Sequence, residues 1–183
     1  MPLKNIRLSL NKISKSLSEE QDSREFLLKN TREVIILCSK AIILVHKGDI
    51  KSAKNNLNQA RILLKRYQKK AKGDLRRYIV TPEQEFVEAA CLVAIVEKKE
   101  IPTDKKLRVL PESYILGLLD LIGELKRMIF DKIRMGDIDE AIRIFEIMEN
   151  LYLYLYPFSM YDKVVKEVRK KIDVARILVD NVR

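Results

Sequence analysis

Apolar residues recur at spacings of three and four almost throughout this chain, beginning with Leu3, Ile6, Leu10, Ile13 and Leu17. That interval gathers side chains on one face of an α-helix but scatters them across both faces of a strand. Sheet architectures fall further because glycine and proline number only five each, too few for a turn-rich sandwich or barrel. The pattern predicts helices over 3–18 and about 20–47, the second through Val34, Ile35, Leu37, Ala41, Ile42, Leu44 and Val45. Gly48 then ends one helix and Asp49 caps the next, about 50–72.

A basic connection, 73–80, leads to Thr81-Pro82-Glu83-Gln84, which reads as a capped helix start. That helix is expected to reach about 98. A polar loop over 102–111 follows, then helices of about 112–135 and 138–149, separated by Gly136 and capped by Asp137. Tyr152, Tyr154, Tyr156 and Phe158 alternate around Pro157, but a lone strand has no partner here, so the stretch reads as a helix end and a turn. A last helix is expected from Ser159 or Asp162 to about 181. Gly48-Asp49-Ile50 and Gly136-Asp137-Ile138 begin similar segments, and two copies set no repeat period. The fold expected is all-α: one domain over 1–183, a bundle of about seven helices, with 1–18 as a peripheral basic helix.

Composition removes several functions. No stretch of roughly 18 uncharged apolar residues exists, so no membrane span is read, and the N-terminus lacks a signal core. Cys38 and Cys91 form no metal-binding pattern and read as reduced core residues of a cytoplasmic protein. His46 is the only histidine, which leaves no basis for a catalytic triad or a Glu-x-x-His di-iron site. The 36 Lys and Arg against 26 Asp and Glu give +10, which calls for an anionic partner, nucleic acid before membrane.

Four acids stand where a helix should be apolar. Between Phe86 and Val96 the only charge is Glu88, and Glu85 lies on its face one turn earlier. Between Ser113 and Leu125 the only charges are Asp120 and Glu124, again on one face, with Gly117 three residues before Asp120. A mid-helix glycine costs about 1 kcal/mol against alanine, so Gly117 suggests that room is needed there. Buried carboxylates require compensation: a cation from another helix, protonation, or a hard divalent ion such as Mg²⁺ or Mn²⁺. A second cluster is basic. Residues 65–77 contain Lys65, Arg66, Lys69, Lys70, Lys72, Arg76 and Arg77 with Asp74 as the single acid, and Tyr67 and Tyr78 are interleaved. Cations contact phosphates and tyrosines stack on unpaired bases. A basic surface beside carboxylates suits metal-dependent phosphodiester cleavage.

Three stretches together resemble the translin/TRAX family, in its archaeal type. They are Asp22-Ser-Arg-Glu through His46-Lys-Gly, Gln84-Glu85-Phe86-Val87-Glu88-Ala89, and Asp120-Leu121-Ile122-Gly123-Glu124-Leu125. The resemblance covers about 20–181 and implies a translin-like helical monomer that assembles into a homo-octameric shell. The last two motifs resemble the catalytic TRAX branch. They imply a Mg²⁺-dependent endoribonuclease for single-stranded RNA, with Glu85, Glu88, Asp120 and Glu124 as both metal ligands and catalytic groups. Nucleic-acid contacts are implied at Lys69, Lys70, Lys72, Arg76 and Arg77, and single-stranded DNA is a second candidate ligand. The alternative is a translin-type protein that binds single strands without cutting them.

Overall fold

Nothing between Leu3 and Lys47 breaks a helix, since that stretch holds neither glycine nor proline. The computed structural model, which describes residues 3–183, accordingly shows one continuous helix, α1 (Lys4–His46), where two were expected. Met1 and Pro2, which open the expected segment 1–18, lie outside the described residues. At 1.5 Å per residue, α1 is about 65 Å long. Residues 3–22 are exposed throughout, and the first buried side chain is Leu27. The polar run Ser18-Glu19-Glu20-Gln21 therefore marks where α1 leaves the core, not where it ends.

Gly48 turns the chain with φ +80°, and the Asp49 carboxylate accepts the Ser52 N–H at 3.0 Å to start α2 (Ile50–Lys70). Gly136, at φ +77°, makes the matching joint between α5 (Pro111–Arg134) and α6 (Ile138–Leu155). There Asp137 holds the N-cap position without a side-chain cap and pairs with Lys132 instead. Each joint buries the alanine four residues past its aspartate, Ala53 or Ala141, and folds its two helices against each other.

Between the two hairpins runs α3 (Val80–Val96), packed against α1, α2 and α5. Its all-round apolar sequence is matched by burial: Phe86, Val87, Cys91 and Leu92 are all within 1% of full burial. Each large side chain taken out of water there contributes about 1.5–3 kcal/mol. The predicted cap fails in detail. The helix starts at Val80 with no side-chain cap, and Thr81 is exposed. Glu83 does something else: at 1% exposure it accepts from Gln68 Nε2 (2.7 Å), the Leu110 N–H (2.8 Å) and Ser113 Oγ (2.8 Å). This clasp ties α2 and the start of α5 to α3.

The polar loop contains a four-residue helix, α4 (Asp104–Leu107), capped by Thr103. The α6 helix outruns the expected end at 149, because Tyr152 and Tyr154 continue it until Pro157 closes a 3₁₀ turn, Tyr156–Tyr161. The last helix, α7 (Val168–Asp180), starts later than expected, after Glu167 at φ +69°. It packs on α5 and α6. The described residues form seven α-helices and no strand. No helix among them is long and apolar enough to cross a membrane.

Candidate active site

The approach of α3 to α5 is set by Gly117. A Cβ built there would stand 2.5 Å from the Gln84 carbonyl oxygen and 2.7 Å from Val87 Cβ. Only a glycine lets the two helices touch at this level, as its position before Asp120 suggests. One turn beyond the contact, the acidic faces converge. Glu85 and Glu88 from α3 and Asp120 from α5 line one pocket of about 560 Å³. Glu124 faces the same acids but turns its carboxylate to His46, whose Nε2 lies 2.6 Å from Glu124 Oε2. The Nδ1 of His46 reaches Asp131 at 3.3 Å, and its side chain is 6% exposed. His46 is therefore a buried tie between the end of α1 and α5.

Two of the four acids have a direct partner. Asp120 is paired with Lys171 from α7 and accepts a hydrogen bond from Gln84 Nε2. Glu124 has His46, with Arg127 at 3.8 Å. Glu88 has neither a paired cation nor a donor among the described residues. Burial first, then the charges of Asp120, Glu85 and Glu124, push its carboxyl up to about 8. The same causes, burial and then Asp120, raise Glu85 above the usual carboxylate range, with Lys171 opposing. Cys38 lies near enough for Glu85 and Glu88 to add to the burial that already raises its thiol. It is buried and free, as is Cys91, which burial pushes up to about 12.

These oxygen donors are of the type that hard divalent cations prefer. As the side chains stand, no three His, Cys, Asp or Glu groups among the described residues are arranged to hold a metal ion. Lys171 and Gln84 engage Asp120, and His46 engages Glu124.

The basic run is placed elsewhere. Lys69, Lys70 and Lys72 line a groove of about 950 Å³ with Glu19, Glu20 and Asp22 of α1. Arg76 and Arg77 are exposed on the 3₁₀ turn Gly73–Tyr78. None of these five lines the carboxylate pocket. The interleaved tyrosines are committed. Tyr67 is 1% exposed, edge-on to Phe26, with its hydroxyl 3.4 Å from Glu33. The Tyr78 hydroxyl accepts from Arg24 (3.0 Å) and Arg77 (3.2 Å), and the Arg77 guanidinium lies 5.0 Å from the centre of its ring.

The cations that do line the carboxylate pocket, Lys170 and Lys171, escape the sequence reading. Their run, Arg169-Lys170-Lys171, opens the last helix without the density of the 65–77 cluster, and only its meeting with Asp120 gives it meaning. Gln84 enters that reading only as part of a cap and a motif, and His46 only as structural and as part of a motif.

This fold has counterparts among known proteins. The Translin family model matches residues 6–182. An uncharacterized protein of Methanocaldococcus jannaschii is 37% identical over 170 residues, covering 91% of this chain and 76% of that protein. Translin-associated protein X of Rattus norvegicus is 22% identical, over 80% of this chain and 66% of its own length. The crystal structure of AfC3PO superimposes with a TM-score of 0.84 at 34% identity, covering 95% of this chain and 93% of the other. AfC3PO in complex with duplex RNA superimposes with a TM-score of 0.83 at 34% identity, covering 95% and 92%. With almost its whole length matched and its helices superimposed, the chain belongs to the Translin family.

Proposed function

We propose that this chain binds single-stranded RNA and cleaves it with Mg²⁺ or Mn²⁺ held by Glu85, Glu88, Asp120 and Glu124. The observation that carries the reading is the convergence of Glu85, Glu88 and Asp120 on one pocket that Lys170 and Lys171 also line. The likeness to AfC3PO, a protein solved with duplex RNA, supports an RNA ligand. The family resemblance supports assembly into a homo-octamer and extends the ligand to single-stranded DNA.

Glu85, Glu88, Asp120 and Glu124 would hold a divalent cation, which would supply Lewis acidity toward a phosphoryl oxygen. The chain's own groups do the rest. Lys170 and Lys171 draw a phosphate to the pocket. Gln84 fixes the orientation of Asp120, and His46 that of Glu124. Burial and the neighbouring acids raise the Glu88 carboxyl, so taking up a cation there requires Glu88 to release its proton. Lys69, Lys70, Lys72, Arg76 and Arg77 hold the strand away from the pocket by phosphate contacts.

The test is incubation with labelled single-stranded RNA in Mg²⁺ and in chelator, with binding recorded alongside. Glu85→Gln and Asp120→Asn stay folded and lose cleavage by at least about 100-fold, the scale of losing one catalytic group. Unchanged cleavage by both variants removes these residues from the mechanism. Binding by the wild-type protein without any cut product in Mg²⁺ or Mn²⁺ makes it a non-catalytic, translin-type binder.

A further inference from the structure

Gly117 and Gly123 both lie inside α5, and only Gly117 is explained by packing. A Cβ at Gly123 would meet nothing nearer than Leu178 Cδ1 at 3.9 Å, an ordinary contact. The helix therefore carries a propensity cost at Gly123 that no contact returns. Gly123 does have a position that matters. It lines the carboxylate pocket and also a second, open pocket of about 430 Å³ along the same face of α5. Gly123 is the lining residue the two share, and it puts no side chain between them.

The second pocket has the opposite character. Lys126, Arg127 and Arg134 line it against a single carboxylate, Asp131. Phe130 stands among them, 47% exposed, with the Lys126 ammonium 5.7 Å from its ring centre. Arg127 and Arg134 are open to solvent, at 56% and 76%, and each pairs only with an acid one turn back on α5. Such exposed pairs are worth little and yield readily to a phosphate. An exposed aromatic face beside solvated cations is how proteins bind single strands without reading sequence. Neither tyrosine of the basic run has that freedom.

We propose that the face of α5 beyond Gly123 is a nucleotide subsite for the single strand whose phosphate lies at the carboxylates. A base stacks on Phe130, Arg127 and Arg134 take the adjoining phosphates, and Gly123 is the saddle the backbone crosses. From Asp120 to Phe130 the helix advances about 15 Å, a span of a few nucleotides. The subsite rests on the proposed RNA-binding reading, but its test does not need cleavage.

The chain contains no tryptophan, so Phe130→Trp is a unique reporter at an exposed position. In chelator at low salt, a single-stranded oligoribonucleotide should quench its fluorescence by about half through stacking. Tyr154→Trp on α6, where the tyrosine is 73% exposed, should not respond. In the Phe130→Trp background, Arg127→Gln with Arg134→Gln should weaken binding about tenfold. Gly123→Leu, checked for folding against Gly123→Ala by thermal melting, should weaken it to a similar degree. No quenching in the Phe130→Trp protein, or equal quenching in the Phe130→Trp and Tyr154→Trp proteins, overturns the subsite. Quenching without cleavage by the wild-type protein in Mg²⁺ keeps the subsite and sinks the nuclease. Cleavage without quenching does the reverse.

Discussion

Replacing Glu88 by glutamine should make the stability of this protein less sensitive to alkali. A carboxyl whose folded value is about 8, against 4.5 ordinarily, binds a proton in the folded chain where the unfolded chain has lost it. The folded state then holds more protons than the unfolded state between about pH 4.5 and 8, and stability falls as pH rises through that window. Burial and the charges of Asp120, Glu85 and Glu124 act together against the ionised form. At 1.36 kcal/mol per unit, the full shift corresponds to about 5 kcal/mol above pH 8. Glutamine keeps the shape of the protonated carboxyl and cannot ionise. Glu88→Gln should thus match the wild type near pH 5 and exceed it at pH 9, by on the order of 10 °C in Tm for a domain of this size. The assay is thermal melting of both proteins in chelator, read as the difference between them at each pH, which cancels the titrating groups that do not interact with Glu88. A difference that stays flat from pH 5 to pH 9 would refute the reasoning, since Glu88 would then ionise like an ordinary glutamate.

Gly117→Ala should lower stability in urea by about 1–3 kcal/mol through overpacking, because the new Cβ meets a backbone oxygen that cannot swing away. The roughly 1 kcal/mol gain in helix propensity offsets only part of that, and a stabilised variant would mean the helices separate freely. His46→Ala removes the ring that bridges Glu124 and Asp131 and should cost about 2 kcal/mol in the same assay. Neutralising Lys69, Lys70, Arg76 and Arg77 together should flatten the log–log salt slope of single-strand binding by about 3, at roughly 0.7 per phosphate contact. An unchanged slope would put the phosphate contacts on other cations, with those of α5 next in line.

Most of the helical architecture was legible because helix signals are local. The glycine–aspartate joints at 48–49 and 136–137 need only a residue tolerant of positive φ and an acid at the next helix's N-cap position, and both stand in the chain as they do in space. The errors fall where local signals compete with packing. Polar residues at 18–23 suggested a break in α1, yet a helix does not stop merely because it leaves the core. Thr81 and Pro82 do stand in the first turn of α3, but no side chain caps it, and Glu83 beside them is taken up by a three-way clasp. Tyr152 and Tyr154 extend α6 because helix propensity is indifferent to aromatic spacing until Pro157 intervenes.

The carboxylate site was legible for a different reason: an uncompensated charge in an apolar helix is conspicuous without any knowledge of its partner. The partners themselves were not legible. Lys171 reaches Asp120 across 51 residues and His46 reaches Glu124 across 78, and nothing in either local sequence announces the meeting. The tyrosines show the converse failure. Tyr67 and Tyr78 have the composition of a base-stacking surface, but core burial and arginine contacts have already used their faces. Phe130, in a helix with no basic-aromatic run to advertise it, is exposed beside Lys126, Arg127 and Arg134. Residue type shows which chemistry a side chain can perform, and packing decides which copies are left free to perform it. A mid-helix glycine carries both kinds of information. At Gly117 the cost is returned by contact, and at Gly123 it is not, so the second glycine points outward to whatever passes over it.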